Sequence, residues 1–355
     1  MLKSRRRRLL PFFEEHALDL LLIEHPVNLR YLSGFSGSEG ALLLSQEGGW
    51  FICDSRYTVQ AAKEVADLVL VEQAQRQEAV ADLVRQSGGY RVGFEASHTT
   101  VTGHQGLTAR LPGVTLVGLG PELDAVRNCK DASELEQLEQ VASLASASLE
   151  AALPQLQPGI QEDAFALQLE FEMRRRGADG RGFDFIVASG ARGAMPHGRA
   201  SDKTILSGEL VTIDFGAIKN GYHSDETVTL AVGSINTRQQ QLYQTVLDAH
   251  DRAVAAVKPG IACRELDAIA REYIKAQGFG EYFGHGLGHG VGLDIHEKPV
   301  ISPRSNAVVE EGMVFTIEPG IYIPGFGGVR IEDTVAVTAD GCRVLTKVSK
   351  QLVIV

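Results

Sequence analysis

The sequence predicts an α/β + α+β protein in two parts: a small N-terminal α/β domain over residues 1–125, and a larger domain over residues 126–355 built as two related halves about a pseudo-twofold axis. Three observations carry this. Strand-like and helix-like stretches alternate through the first part, the pattern of a layered α/β domain. A helix-start signal, Ser133-Glu134-Leu135-Glu136, follows a break in that pattern near residues 125–132. Beyond it the chain repeats itself. LQPGIQEDAFALQLEFEMRRRGA (156–178) aligns with VKPGIACRELDAIAREYIKAQGF (257–279), and GELVTIDFG (208–216) aligns with GMVFTIEPG (312–320). Two copies are too few for a solenoid, so the halves pair about a twofold.

In the first part, strands are expected at 18–25, 41–46, 50–54, 68–73 and 90–95, with helices at 57–66 and 76–86. GLG at 118–120 reads as a loop, since a lone G-x-G is weak. Arg5 to Arg8 precede a five-residue apolar run that Glu14, Glu15 and His16 cut off, too short for a signal peptide; a solvated helix end is expected there. After Ser133, the residues Leu135, Leu138, Val141, Leu144 and Ala145 recur at helical spacing.

Composition bounds the partners. With 44% apolar and 22% charged residues, the chain can bury a large core. A net charge of −11 argues against nucleic acid or an anionic membrane, and no apolar run is long enough to span a bilayer. Cys53, Cys129, Cys263 and Cys342 lie far apart without a C-x-x-C, the usage of reduced thiols in a cytoplasmic protein.

The chemistry sits in the repeat. VTIDFGAIKNGYHSDETVTL (211–230) reads as two β-branched strands about an Asn220-Gly221 turn. A two-residue loop pairs 214 with 227 and sets Asp225 diagonal to Asp214; a loop centred half a step earlier pairs 214 with 225. Both registers put the two carboxylates on one face, because side chains alternate with period two. In the second copy Asp214 falls on Glu318, and SDETV (224–228) aligns with IEDTV (331–335), so Asp225 falls on Glu332. Four carboxylates set in apolar strands at a twofold axis cannot all stay ionised without cations. Acids that hold two cations about 3.5–4 Å apart form the two-metal hydrolytic template.

A fifth ligand is expected from GHGLGHGVGLDIHE (284–297), which offers His285, His289 and His296. Its glycines at 284, 286, 288, 290 and 292 argue for backbone packed close to something. Imidazole with carboxylates suits manganese, cobalt, zinc or iron(II). His197, in MPHG (195–198), precedes the first copy's strands much as His296 precedes the second's, and adds a further polar group.

Asp214 in TIDFG, Asp225 in HSDET, His289 in GLGHGVG, Glu318 in TIEPG and Glu332 in RIEDT together resemble the signature of the pita-bread metallopeptidases, closest to their Xaa-Pro aminopeptidase (aminopeptidase P) and prolidase branch, over essentially the whole chain. The resemblance implies a pita-bread domain with two divalent metal ions, manganese first, with cobalt, zinc or iron as alternatives. It implies Asp225 on one ion, His289 on the other, Asp214 and Glu332 bridging, and Glu318 as a ligand too; Glu318 is further expected to relay the nucleophile's proton. His197, His285 and His296 match accessory histidines, and Arg330 matches an arginine that holds a ligand carboxylate. Short proline-containing peptides are the implied substrates, and a homodimer the implied assembly. Phe183, Tyr222 and Tyr322 are candidates to pack the proline ring.

One position departs. Many prolidases of this kind carry an arginine just after H-E-x-P, where it reads the dipeptide's carboxylate; HEKPVIS puts Val300 there. The expectation is therefore an Xaa-Pro aminopeptidase acting on longer peptides, with an Xaa-Pro dipeptidase as the alternative if Lys298, Arg304 or Arg30 supplies the charge. The five intact ligands argue against metal-free creatinase relatives and against a non-catalytic peptide-binding homologue. The N-terminal domain argues against methionine aminopeptidase.

Overall fold

Leucine runs without polar alternation belong at the centre of a sheet covered on both faces. In the computed structural model, which describes residues 1–355, LLLI forms β1 (Leu20–Ile23) and ALLL forms β2 (Ala41–Leu44), and every residue of both is buried. They belong to the first of two units, Met1–Arg127 and Asn128–Val355. With β3 (Gly49–Cys53), β4 (Val69–Glu72), β5 (Arg91–Glu95) and β6 (Thr115–Leu119) they make a six-stranded sheet in the order β4-β3-β2-β1-β5-β6.

The helices of this unit are α1 (Leu2–Arg7), α2 (Leu10–Glu15), α3 (Pro26–Ser33), α4 (Thr58–Glu64), α5 (Arg76–Ser87) and α6 (Val101–Arg110). Sequence periodicity finds α4 and α5 and misses the other four. α1 and α2 span six residues each, too few to display a helical period, and α3 follows directly on the strand expected at 18–25 with Pro26 as its first residue. α6 carries two glycines, and its start is fixed by a local bond, Gly103 N–H to Thr100 Oγ1 at 3.0 Å. The strand that GLG follows is β6, and it takes in Gly118 and Leu119, so GLG is not a loop as expected.

The arginine run ends α1 as expected, but only Arg7 is exposed. Arg5 is only 5% exposed, with its guanidinium 4.8 Å over the Tyr31 ring. Arg6 donates to the Leu32 carbonyl at 2.8 Å, and Arg8 donates to the Tyr31 hydroxyl at 2.8 Å and the Val126 carbonyl at 2.9 Å. Arg5 also donates to the Tyr31 carbonyl. These guanidiniums meet the last turn of α3, where unpaired carbonyls and the helix dipole favour cations.

The second unit opens with α7 (Ala132–Ala152), capped by Asp131 rather than Ser133. Glu134 N–H donates to Asp131 Oδ1 at 3.1 Å, and Asp131 N–H donates to Glu134 Oε2 at 3.1 Å. The box is thus D-x-x-E, two residues upstream of the one the sequence suggested. The Ser133 hydroxyl instead donates to the capping carboxylate at 2.6 Å.

The duplication is visible element by element. α8 (Glu162–Arg175) and α10 (Cys263–Ala276) have 14 residues each, and the long α7 is matched by α9 (Thr237–Ala256). A single antiparallel bridge precedes each short helix, Gln161 to Thr204 and Ala262 to Val308. The first half contributes β7 (Gly180–Arg181), β8 (Ile186–Ser189), β9 (Glu209–Phe215), β10 (Ala217–Lys219), β11 (Tyr222–His223) and β12 (Glu226–Val232), as sheets β12-β9-β8 and β11-β10-β7. The second contributes β13 (Gly288–Gly290), β14 (Glu297–Ile301), β15 (Val314–Ile317), β16 (Gly320–Ile323), β17 (Gly327–Arg330), β18 (Asp333–Val337) and β19 (Cys342–Val344), as sheets β14-β13-β15-β18-β19 and β16-β17.

Of the two registers open to the hairpin, the two-residue turn is the one adopted. Asp214 pairs with Thr227 and Ile218 with His223. Asn220 at φ 50° and Gly221 at φ 76° supply the left-handed pair that a type I′ turn requires.

Moving the cap gives a direct test of the fold. Asp131→Ala should lower the unfolding free energy by about 1 kcal/mol, whereas Glu136→Ala, which removes the box expected from the sequence, should change it by less than about 0.5 kcal/mol. Chemical denaturation of the two variants measures both.

Candidate metal centre

The five candidate ligands lie in or beside strands of the two related sheets. Asp214 is the penultimate residue of β9 and Asp225 immediately precedes β12; Glu318 immediately follows β15 and Glu332 immediately precedes β18. His289 is central in the three-residue β13. The halves are joined where these acids meet. Thr227 and Glu332 form a β-bridge, Glu332 N–H donates to the Thr227 carbonyl at 3.1 Å, and the Thr334 hydroxyl donates to the Asp225 carbonyl at 2.7 Å.

The glycine-rich segment brings His289 to this junction. A Cβ on Gly288 would lie 1.9 Å from the Thr316 carbonyl oxygen, and one on Gly290 would lie 2.2 Å from that of Lys298. The backbone therefore packs directly on its neighbours at these positions. Gly284 meets nothing within 4 Å, so the close-packing expected of all five glycines fails there.

Ligand atoms of Asp225, His289 and Glu332 all lie within 4.8 Å of one another. His289 Nε2 stands 3.5 Å from Asp225 Oδ2 and 3.5 Å from Glu318 Oε1. Its Nδ1 faces the Gly290 carbonyl at 3.1 Å, which must receive an N–H, so the neutral ring turns its Nε2 lone pair toward the two acids. Burial holds this imidazole below the usual histidine range. A lone pair facing carboxylate oxygens is repulsive unless a cation lies between them.

The acids carry the same signature. Burial raises Asp225 well above the ordinary carboxylate range, and Glu332, Asp214 and Glu318 push it further. Burial likewise raises Glu332, helped by Glu318 and Asp214. Glu318 is raised by burial against the opposing pull of His285 and Arg330. Asp214 Oδ1 is buried without a hydrogen-bond partner. This set, with an orphaned carboxylate oxygen, an inward lone pair and crowded acids, fits divalent cations of the imidazole-carboxylate kind.

Arg330 ties the frame together. It donates to Asp214 Oδ2 at 2.5 Å, to the Thr227 hydroxyl at 3.2 Å, and to the Pro196 carbonyl and Tyr322 hydroxyl at 3.0 Å each. It sits at the end of β17, and Ile331 separates that strand from the Glu332 junction. The Tyr322 hydroxyl is 2.9 Å from His285 Nε2, and His285 Nδ1 faces the Gly286 carbonyl at 2.8 Å, so Tyr322 donates to the histidine and accepts from the arginine.

One cavity of about 530 Å³ gathers Asp214, Asp225, His289, Glu318 and Glu332 with His197, His285, His296 and Arg330. His197 and His296 are exposed, and the His296 ring lies 4.3 Å from that of His289. Phe183 and Val300 are in the wall. Tyr222 is not; it is buried elsewhere, with its hydroxyl 3.3 Å from Glu134 Oε1. Tyr322 is turned to Arg330 and His285. Neither Lys298 nor Arg304 reaches the wall, which instead contains Arg199, paired to Asp184 at 2.8 Å. The sequence reading missed Arg199, although it lies two residues beyond His197.

Residues 136–339 match metallopeptidase family M24, and residues 5–129 match the creatinase/prolidase N-terminal domain. The chain belongs to metallopeptidase family M24. An Xaa-Pro dipeptidase of Pyrococcus furiosus is 40% identical over 99% of this chain and 100% of that one. Among solved structures, an Xaa-Pro dipeptidase from Bacillus anthracis is similar with a TM-score of 0.98 at 41% identity, covering 100% of both chains. An X-Pro aminopeptidase from Thermotoga maritima MSB8 gives 0.92 at 35% identity over 96% of this chain and 98% of that one. The M24 protein is thus a metallopeptidase with the pita-bread fold, and its family implies divalent metal. No helix is long and apolar enough to cross a membrane.

The raised acids make the metal-free M24 protein pH-sensitive. Asp225 and Glu332 bind protons more tightly folded than unfolded, so their contribution is fully present below the unfolded carboxylate pKa and is lost as pH rises through the raised folded values. Chelator-treated protein should show a Tm that falls as pH rises above the ordinary carboxylate range, from about pH 5 upward. Added manganese(II) should reverse the fall, and Asp225→Asn should reduce it; thermal unfolding across that range measures both.

Proposed function

We propose that this M24 protein is an Xaa-Pro dipeptidase that works with two divalent cations, manganese first. The observation that carries the reading is the convergence of five metal-type donors in one cavity that also has Arg199 in its wall. A dipeptide ends in a free carboxylate at the residue after the cleaved bond. With Val300 uncharged in the wall, Arg199 is the cation beside the site that can meet that carboxylate without being committed to a candidate ligand, as Arg330 is. The dipeptidase names carried by the Pyrococcus and Bacillus relatives support the same choice. Removal of the first residue from longer Xaa-Pro peptides is the second reading, favoured by Val300 and by the Thermotoga relative.

When bound, the cations supply Lewis acidity and bring the pKa of water near neutrality. The chain does the rest. Asp214, Asp225, His289, Glu318 and Glu332 hold the pair, and Arg330 fixes Asp214 while it is itself braced by Tyr322 and His285. Glu318, already proton-seeking through burial, takes the proton of the attacking water and returns it to the proline nitrogen as the amide bond breaks. His197 and His296 meet the carbonyl oxygen as it gains charge, a contribution of about 2–4 kcal/mol for a donor of this kind. An Xaa-Pro bond has no N–H to read, so recognition falls to packing of the ring against wall residues such as Phe183 and Ile186.

Assays of Xaa-Pro and Xaa-Pro-Yaa peptides after chelation and readdition of manganese or cobalt test this. Cleavage of the dipeptide alone is expected; efficient cleavage of the tripeptide would establish the aminopeptidase reading instead. Asp225→Asn should stay folded yet lose metal, with activity down by at least the 10- to 100-fold typical of lost metal support. Arg199→Ala should raise KM for Xaa-Pro about tenfold with little change in kcat, a loss of about 1.4 kcal/mol in ground-state binding, and should leave Xaa-Pro-amide kinetics unchanged.

A further inference from the structure

The acids next to the candidate ligands form a second charged cluster on the far side of the strands. Asp225 is followed by Glu226 and Glu332 by Asp333, and successive strand residues point to opposite faces. The two are equivalent positions of the duplication. Both are buried, Glu226 at 0% and Asp333 at 6% exposure. Both meet the same cation: Lys350 Nζ lies 2.5 Å from Glu226 Oε1 and 3.2 Å from Asp333 Oδ1, with its side chain only 9% exposed. One ammonium therefore joins β12 to β18 across the pseudo-twofold, behind the cavity.

The rest of the C-terminal segment serves the same pair. Val348 N–H donates to Glu226 Oε1 at 3.0 Å, and the Thr346 hydroxyl donates to Asp333 Oδ1 at 2.5 Å. Ser146 of α7 donates to Glu226 Oε2 at 2.6 Å and accepts Lys347 N–H at 3.0 Å. Beyond Lys350 the chain runs beside β12, with Ala231 N–H donating to the Val353 carbonyl and Val355 N–H to the Ala231 carbonyl. The Tyr243 hydroxyl donates to the Lys350 carbonyl at 2.8 Å and fixes the segment to α9. None of these groups enters the cavity, so the mechanism above uses none of them.

We propose that Lys350 is a positioning residue for the metal centre: by clamping Glu226 and Asp333 from behind, it sets the spacing of Asp225 and Glu332 in front. The inference rests on reading Asp225 and Glu332 as metal ligands. Removal of the ammonium takes away the one cation bonded to both acids: Asp333 keeps His250 Nε2 at 3.1 Å, Glu226 is left without a cation, and with the tie between β12 and β18 lost the two acids are free to separate. Each is one peptide unit from a ligand, so their separation widens the front of the site. The closeness of Asp225 and Glu332, both acids, needs such a restraint before any cation arrives.

Manganese(II) binding to the full chain by calorimetry, with Tm recorded alongside, tests the clamp. Lys350→Met should remain folded and bind manganese 10- to 100-fold more weakly, the loss typical of removed metal-site support, while Lys350→Arg should stay within about threefold of wild type. A core variant of matched Tm, Phe165→Leu in α8, should bind as wild type does, which separates positioning from general destabilisation. If Lys350→Met does not fold, the triple variant Glu226→Gln, Asp333→Asn, Lys350→Met leaves no unpaired charge and should show the same weakening. Wild-type affinity in a folded Lys350→Met or triple variant overturns the clamp while leaving the metal-centre reading intact. A wild-type protein that takes up no manganese, cobalt or zinc overturns both.

Discussion

The like charge of acids buried at a shared axis governs this protein. Asp214 and Asp225 come from one half, Glu318 and Glu332 from the other, and burial raises three of them on the same terms. Close packing alone would drive such groups apart or keep them protonated. They are held together by bonds that cross the pseudo-twofold: the Thr227 to Glu332 bridge, the Thr334 bond to the Asp225 carbonyl, and the Arg330 fork to Asp214 and Thr227. The fold keeps in place an arrangement that the acids alone disfavour, and in doing so it makes a site for cations.

The strands answer the same electrostatic demand differently on their two faces. In front, Arg330 is the single guanidinium among the acids, and the His289 lone pair adds to the negative side of the balance. Behind, Glu226 and Asp333 are matched by Lys350 and His250; His250 Nε2 lies 3.1 Å from Asp333 Oδ2, and its pairing with Asp251 and Asp333 outweighs the burial that would otherwise lower its pKa. A site under-compensated on one face and compensated on the other is suited to take up divalent ions at one face only.

The aromatic and histidine side chains divide their work by depth. Tyr322 is drawn inward as the link between Arg330 and His285, whereas His197 and His296 stay exposed where a peptide carbonyl can reach them. Phe183 and Ile186 line the same cavity and give it apolar wall. The first unit, with its six-stranded sheet, its α3 carbonyls met by Arg5 and Arg6 and its Tyr31 hydroxyl met by Arg8, is stabilised by its own core and its own charge pairing.

By itself the sequence determined the pairing of halves, the five candidate donors and a hairpin turning at Asn220-Gly221, because these are written in periodicity, in duplicated motifs and in the Asn220-Gly221 step; it left the hairpin register between two choices. It also carried M24 kinship, since the donors sit in motifs rather than in isolation. Tertiary structure alone decided the rest. Which acid caps α7, whether the N-terminal arginines face water, which aromatic residues line the cavity and which arginine stands in its wall all depend on neighbours distant in the chain. Arg199 and Val300 in one cavity wall and Lys350 between Glu226 and Asp333 are meetings that no local pattern encodes, because they arise only after the two halves have closed on each other.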